Sequence, residues 1–207
     1  MSNFSADCIR LLRWNSETGI GYFPVDEYAP IHPYNDDYFN KYKVYETTDL
    51  GKQLTDFRLK FVDKHWKGAL VDVGVGSGQF LRARSNTKGY DINPAAISML
   101  QTAGAWHDIL SQPCVAASFW DSLEHIRAPS TVLKMVTEFV FVSIPVFNTY
   151  DQILRSVHFR PDEHYWYFSP YGFVSFMWNN GFRVLETSDT ETHLGRSSIT
   201  SFAFRRR

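Results

Sequence analysis

The sequence has little of several features that would place it in a special class of protein. Its two cysteines, Cys8 and Cys114, lie far apart and form no C-x-x-C pair, so reduced thiols are expected rather than a disulfide scaffold. The 21 basic and 22 acidic residues nearly cancel, which argues against a general binder of nucleic acid or membrane surfaces. No apolar run approaches the roughly 20 residues of a membrane span, and the N-terminus lacks the pattern of a signal peptide. A cytoplasmic protein that does not enter membranes is therefore expected.

What the sequence does have is an alternation of strand-like and helix-like segments. Of its 207 residues 44% are apolar, enough for one domain with a sizeable core. The alternation predicts an α/β fold, with a mostly parallel sheet that is covered by helices on both faces. The last two strand-like segments, FRVLET and SITSFAF, are expected to pair antiparallel. Two stretches are expected to be irregular: residues 1–48, which are rich in aromatic side chains, and the segment from Phe147 to Phe168.

Three glycines alternate with small or apolar residues in the stretch LVDVGVGSGQF, from Leu70 to Phe80. A buried strand precedes them, so Gly74, Gly76 and Gly78 fall where a strand turns into a helix. Glycines there permit unusual backbone angles and let a ligand approach the main chain, while the first amides of the helix attract an anionic group. Because ligands of open α/β sheets lie beyond the carboxyl ends of the strands, this turn is predicted to be a ligand site. The alternative is a tight turn that only packs.

The spacing of the glycines narrows the choice of ligand. A dinucleotide fingerprint would need a glycine where Gln79 stands, and a phosphate-binding P-loop would need Gly-Lys-Ser/Thr. The pattern D-x-G-x-G-x-G from Asp72 to Gly78 instead resembles the first motif of class I S-adenosylmethionine (SAM)-dependent methyltransferases. The position of Asp91 is consistent with this resemblance. It ends the next strand, nineteen residues after Asp72, where a carboxylate can accept both hydroxyl protons of an adenosine ribose.

Further stretches are similar to small-molecule methyltransferases of the ubiquinone-biosynthesis type. FWDSLEHI, from Phe119 to Ile126, resembles their D-x-L-E-H stretch after the fourth strand, and YNDDYFNKY resembles an N-terminal motif. HFRPDEHYWYFSPYGFVSFMWNNGFRV resembles a loop, helix and strand start found in many of them. The resemblance runs from about residue 34 to the end and implies a Rossmann-like sheet of seven strands with an antiparallel C-terminal strand. It also implies a methyltransferase domain at 49–207, with residues 1–48 as a cap. The chain departs from the family where few residues separate Ile92 from the strand CVAAS, so the third strand is expected to be very short, near AWHDI.

The resemblance implies S-adenosylmethionine as the cofactor and assigns residues to its parts. Asp91 would bind the ribose, and Asp108 would lie near the adenine with Trp106 or His107 stacking nearby. Tyr38 and Tyr42 would close the site from the N-terminal side, near the carboxylate or the sulfonium of the cofactor. The full set of predicted cofactor-binding residues is Asp72, Gly74, Val75, Gly76, Gly78, Phe80, Asp91, Ile92, Asn93, His107, Asp108, Trp120, Asp121, Tyr38 and Tyr42.

Three histidines are the predicted catalytic residues. His125 comes just beyond the fourth strand, and its imidazole titrates near neutral pH, which suits a base for an alcohol or phenol acceptor. His158 and His164 lie in the long loop after the fifth strand, which would fold over the same edge of the sheet as a lid. His125 could instead only fix its loop, and Glu124 is expected to cap a helix. These residue types also occur in metal sites, but with Asp121 they form no strong ligand signature, and no metal is predicted.

The acceptor is predicted to be a small molecule that is methylated at oxygen. In DNA amino-methyltransferases Asn/Asp-Pro-Pro-aromatic follows the fourth strand, whereas this chain has DSLE there. The pair Pro113-Cys114 resembles the nucleophile of cytosine-C5 enzymes, but it precedes that strand. Two alternatives stay open: a non-catalytic SAM-binding or regulatory protein, and a methyltransferase acting on nucleic acid or protein. A nicotinamide dehydrogenase is disfavoured by Gln79, and the sequence sets no oligomeric state.

Overall fold

The computed structural model describes residues 10–24 and 34–207. The strands are β1 (Arg13–Asn15), β2 (Ile20–Tyr22), β3 (Leu70–Val73), β4 (Thr87–Tyr90), β5 (Cys114–Trp120), β6 (Val136–Pro145), β7 (Trp166–Phe168), β8 (Phe182–Ser188) and β9 (Ile199–Arg206). The helices are α1 (Asp36–Glu46), α2 (Asp49–Asp63), α3 (Gln79–Ala83), α4 (Pro94–Thr102), α5 (Pro129–Leu133), α6 (Tyr150–Arg155), α7 (Pro170–Asn179) and α8 (Thr190–His193). Among these residues, no helix is long and apolar enough to cross a membrane.

The largest element of the fold is a six-stranded sheet with the order β4-β3-β5-β6-β9-β8. Strands β4, β3, β5 and β6 run parallel to one another. Strand β9 runs antiparallel to both of its neighbours, β6 and β8. This topology confirms the predicted α/β fold, a Rossmann-like and mostly parallel sheet with an antiparallel C-terminal strand.

The sheet has six strands rather than seven because the segment AWHDI does not form one. Trp106 makes only a single parallel bridge, to Gly89 of β4. Directly afterwards Asp108 turns the chain: its carboxylate accepts hydrogen bonds from the amide of Leu110 at 3.0 Å and from the hydroxyl of Ser111 at 2.7 Å. A strand cannot continue through that turn, so the predicted third strand is reduced to one bridge.

Side chains of the central strands alternate between the two faces of the sheet, as an extended chain requires. Val140 and Val142 of β6 belong to a buried cluster that includes Phe173 of α7. Phe141, which lies between them, belongs to a second buried cluster with Phe61 of α2. The two clusters occupy opposite faces, so helices cover both faces of the sheet, as predicted.

A second sheet joins the N-terminal segment to the loop after β6. Strands β1, β2 and β7 form it in antiparallel order, with Gly21 of β2 opposite Tyr167 of β7. The expectation that residues 147–168 are irregular is therefore wrong, since they contain α6 and β7. The segment before residue 49 is also not irregular where it is described. Strands of three residues are too short to show an alternation in the sequence. Residues 1–9 and 25–33 of the predicted cap lie outside the described residues.

A buried group of charges fastens the C-terminal part of the sheet to helix α2. Glu191 of α8 has no exposed surface, and its carboxylate accepts hydrogen bonds from Arg58 of α2 at 2.8 and 3.0 Å. The hydroxyl of Ser143 on β6 donates to the same carboxylate at 2.7 Å, and Arg196 also pairs with it. Both arginines pair in turn with Asp121, the residue after β5, at 3.1 and 2.9 Å. Two arginines and two carboxylates thus balance their charges largely away from water.

We expect Glu191→Ala to lower the free energy of unfolding by about 3–5 kcal/mol, because it leaves two buried arginines with one carboxylate between them. Urea unfolding followed by circular dichroism measures this loss. Asp189→Ala is the matched control. Asp189 precedes the same helix and pairs with His193, but its side chain is 74% exposed. Such an exposed pair contributes less than about 1 kcal/mol. Equal losses in the two variants would contradict the role given to Glu191.

Candidate active site

A cavity of about 520 Å³ opens at the carboxyl ends of β3, β4 and β5. The glycine turn after β3, the end of β4 and the turn after β5 contribute to its lining. Helix α1 and the loop between α6 and β7 also line it. This is the edge at which parallel α/β sheets bind their ligands.

The glycine turn takes backbone angles that favour glycine over other residues. Gly74 and Gly76 have φ angles of 81° and 55°, in the left-handed region. A Cβ on Gly74 would lie 2.6 Å from the side chain of Ser122, and one on Gly76 would lie 3.5 Å from the ring of Tyr42. The turn therefore packs closely against its neighbours at Gly74, while Gly76 lies in the wall of the cavity.

Asp91, directly after β4, ties the glycine turn to helix α4. Its Oδ2 accepts a hydrogen bond from the amide of Gly76 at 3.2 Å, and its Oδ1 accepts one from the amide of Asn93 at 2.9 Å. Burial raises the pKa of Asp91, and the hydrogen bonds from backbone amides act in the opposite direction. Each carboxylate oxygen can accept a second hydrogen bond, and the side chain lines the cavity, so Asp91 can receive a pair of ligand hydroxyls.

Helix α1 lies over the glycine turn and is held there at its C-terminal end. The carboxylate of Glu46 accepts a hydrogen bond from the hydroxyl of Ser77 at 2.8 Å. One helical turn earlier, Tyr42 places its ring against Gly76, and its hydroxyl lies 3.2 Å from that of Tyr38. Both tyrosines line the cavity, so the N-terminal helix forms part of its wall.

Trp120 and Phe80 form an aromatic part of the wall. Their rings meet edge to face with centroids 5.3 Å apart, and the guanidinium of Arg58 lies 5.0 Å from the Trp120 ring. Trp120 is only 7% exposed, and within the described ranges its Nε1 has no hydrogen-bond partner. A buried donor of this kind costs stability unless something accepts from it. Trp120 therefore places an aromatic ring in the cavity wall and holds a buried indole N–H beside it.

Two further acids line the cavity but are engaged with the protein. Asp121 has a φ of 55° and lies in the group of buried charges. Burial acts to raise its pKa, but Arg196 and Arg58 hold that pKa below its usual range. Asp72 accepts a hydrogen bond from the hydroxyl of Ser118 at 2.7 Å, and burial raises its pKa to about 7. Both acids thus support the ends of β3 and β5 as well as facing the cavity.

Two of the three predicted catalytic histidines meet beside Glu124. His125 lies in the 3-10 turn Leu123–His125, and its ring centroid is 4.6 Å from that of His164 in the loop before β7. One side-chain donor atom from each of Glu124, His125 and His164 lies within 4.8 Å of the other two. Burial raises the pKa of Glu124 well above its usual value. Glu124 belongs to this cluster rather than capping a helix with its side chain.

His158 lines the same cavity from the loop after α6. Its Nε2 lies 2.9 Å from the carbonyl oxygen of Ser197. A carbonyl oxygen only accepts hydrogen bonds, so Nε2 carries a proton, and in the neutral ring Nδ1 keeps its lone pair. Burial lowers the pKa of His158, which favours the neutral ring at neutral pH.

Most of the predicted site residues line this one cavity. They are Tyr38, Tyr42, Asp72, Gly74, Val75, Gly76, Phe80, Asp91, Ile92, Asn93, Trp120, Asp121, His125, His158 and His164. Gly78, the N-cap residue of helix α3, does not line it. His107 and Asp108 also lie outside it: the ring of His107 bonds to the carbonyl of Gln112, and Asp108 forms the turn described above. The structure therefore does not bring the residues assigned to the adenine to the wall of this cavity.

Three arginines that the sequence does not point to also line the cavity, namely Arg58, Arg160 and Arg196. Arg58 and its partner Glu191 are 133 residues apart, so no local pattern marks the pair. Arg160 pairs with Glu163 at 3.1 Å within the loop that precedes β7. The only signal for that pair is opposite charge at a spacing of three residues, which is common on protein surfaces.

Comparison with known proteins identifies the family. The family profile described as a methyltransferase domain matches residues 46–187, more than half of the chain. The chain therefore belongs to this methyltransferase-domain family. With its Rossmann-like sheet it is a class I SAM-dependent methyltransferase, and S-adenosylmethionine is its methyl donor. No curated protein matches the sequence significantly.

Solved structures of low sequence identity share the fold. A SAM-dependent methyltransferase of Thermotoga maritima, described as a possible histamine N-methyltransferase, has a TM-score of 0.60 and 14% identity over 83% of this chain and 97% of that one. A SAM-dependent methyltransferase of Archaeoglobus fulgidus has a TM-score of 0.56 and 15% identity over 80% and 99%. The magnesium protoporphyrin IX methyltransferase of Synechocystis PCC 6803, with bound S-adenosylhomocysteine, has a TM-score of 0.52 and 13% identity over 76% and 84%. The resemblance to the ubiquinone-biosynthesis type stays a prediction.

Proposed function

We propose that this enzyme transfers the methyl group of S-adenosylmethionine to an oxygen atom of a small molecule, with a histidine as the base. The observation that carries the proposal is the single cavity lined by the glycine turn, Asp91 and three histidines. The residues suited to binding the cofactor and the histidines suited to accepting a proton line the same cavity. A transfer between two bound molecules needs that arrangement, because it depends on their alignment.

The residues of the cavity fit the cofactor. When bound, S-adenosylmethionine supplies a methyl group that its positively charged sulfur makes electrophilic. Asp91 would accept hydrogen bonds from the two ribose hydroxyls, and the turn around Gly76 would lie against the bound molecule. The ring of Tyr42 would favour a cationic group, and the buried Nε1 of Trp120 would donate to an acceptor atom.

The enclosure of the cavity supports a small acceptor. Helix α1 and the loop that carries His158 and His164 both line it, so cofactor and acceptor would share about 520 Å³. The formal net charge of −1 gives no excess of basic residues for a phosphate backbone. In this proposal α1, as part of the N-terminal cap, helps to exclude water from the methyl group.

His158 is the base that the geometry favours. An oxygen acceptor must lose its hydroxyl proton as the bond to the methyl carbon forms. Because Nε2 of His158 donates to the carbonyl of Ser197, Nδ1 of the neutral ring can take that proton. The lowered pKa of His158 keeps the ring neutral and ready to accept. His125, the base favoured by the sequence, lies against His164 instead.

We expect the purified protein to methylate compounds in a small-molecule fraction of a cell extract. The extract is divided by ultrafiltration, and each part is incubated with SAM that carries a labelled methyl group. Label should enter the filtrate products as an ether that resists mild base. Gly74→Val is the inactive control, since its side chain strains the turn and meets Ser122. Label found only in retained protein or nucleic acid would contradict a small acceptor.

We expect His158→Gln to lower kcat by roughly 10²–10⁴-fold while SAM binds as before, because glutamine can still donate to Ser197 but has no basic nitrogen. Turnover of the wild type should fall at acidic pH, where the imidazole is protonated, and the variant should lose this dependence. Kinetics across the neutral range and a SAM titration measure both effects. His193→Gln, at a ring that is 73% exposed on α8, is the control. Wild-type turnover in His158→Gln at every pH would exclude His158 as the base.

A further inference from the structure

We propose that Glu124, His125 and His164 form a binding site for one divalent transition-metal ion, such as Zn²⁺, in the wall of the cavity. The proposal rests on the proposed function in one respect, since the ion would hold the oxygen atom of the methyl acceptor. Two imidazoles and one carboxylate are donors that such ions prefer. Mg²⁺ and Ca²⁺ prefer oxygen donors alone, so they fit this cluster less well.

The three side chains are close to the spacing that an ion needs. Their donor atoms lie within 4.8 Å of one another. With bonds of about 2.1 Å, the donors around a tetrahedral ion stand about 3.4 Å apart, so binding requires side-chain movements on the order of 1 Å. Movements of that size need only small rotations of the side chains, with the backbone left in place.

Hydrogen bonds to backbone carbonyls hold together the two segments that carry these side chains. Glu124 lies in the 3-10 turn and His164 in the loop before β7. The amide of Tyr165 donates to the carbonyl of Glu124 at 2.9 Å. The indole N–H of Trp166 donates to the carbonyl of Ile126 at 3.0 Å, across 40 residues of sequence. The site is therefore assembled by the fold before any ion binds.

The burial of these side chains favours the binding of a cation. Glu124 is 1% exposed and His164 is 3% exposed. In the part of the chain that the structure describes, Oε2 of Glu124 has no hydrogen-bond partner. A buried carboxylate oxygen without a partner costs free energy, which a coordinated ion offsets. Asp121 is not an alternative ligand, because Arg58 and Arg196 already pair with its carboxylate.

An ion held by three protein donors would have coordination positions left for other ligands, and all three donor residues line the cavity. Catalytic zinc sites have this arrangement, with the open position for water or substrate. Such an ion would make a bound hydroxyl group lose its proton more readily, and Nδ1 of His158, which lines the same cavity, would take that proton. The oxygen then uses its freed electron pair to bond to the methyl carbon, while the carbon–sulfur bond breaks and its electron pair stays on sulfur.

Metal binding can be measured without knowing the acceptor. The full-length protein, prepared without a polyhistidine tag and dialysed against EDTA, is titrated with Co²⁺ and then with Zn²⁺. We expect one equivalent of Co²⁺ to bind with visible absorption bands, and Zn²⁺ to displace it. Glu124→Gln and His164→Ala should each weaken binding by more than about tenfold. His193→Ala, which removes an exposed histidine of α8, should bind like the wild type.

A wild-type protein that shows no Co²⁺ bands would overturn the site. So would Glu124→Gln if it bound Co²⁺ as tightly as His193→Ala does. Glu124→Gln keeps the size of the side chain, so it tests the proposal even where His164→Ala fails to fold, and circular dichroism reports the folding of each variant.

Methyl-transfer assays separate this proposal from the proposed function. We expect EDTA to abolish transfer and Zn²⁺ to restore it in the wild type but not in Glu124→Gln. If methyl transfer to small molecules continues unchanged without metal, the ion has no role in the reaction, and the proposed function still stands. Binding of one Co²⁺ by a protein that methylates no small molecule would overturn the proposed function and leave the metal site standing.

Discussion

The hydrogen bond from the amide of Gly76 to the carboxylate of Asp91 is the interaction on which the site depends. It joins the turn after β3 to the end of β4, and the same carboxylate holds Asn93 at the start of α4. Because β3 and β4 run parallel, the turns that follow them lie at the same edge of the sheet. One acid thereby fixes the shape of the turn and, in our proposal, keeps lone pairs for the ribose of the cofactor.

Segments far apart in the chain close the cavity around this turn. Helix α1 reaches the turn through the hydrogen bond between Ser77 and Glu46. The C-terminal part reaches the cavity wall through Arg196, which pairs with Asp121, the residue after β5, and with the buried Glu191. The charges that hold α2 and α8 to the sheet therefore also shape the wall of the site. A change in that group would affect stability and ligand binding together.

The sequence predicted what neighbouring residues encode. A short apolar strand, a glycine turn and a helix follow one another directly, and Asp91 ends the next strand, so the pattern could be read without knowing the fold. Contacts between distant segments could not, such as that of Arg58 with Glu191 or of Glu124 with His164, because no periodicity relates them. Asp108 follows the position of the third strand in the sequence, yet its side chain ends that segment in a turn.

A crystal structure of the protein soaked with S-adenosylhomocysteine tests the central claim most directly. We expect both ribose hydroxyls within hydrogen-bond distance of the Asp91 carboxylate, and the adenosyl group against the main chain of the glycine turn. A ligand bound elsewhere, or one bound in the cavity while the Asp91 carboxylate contacts only protein amides, would contradict the claim.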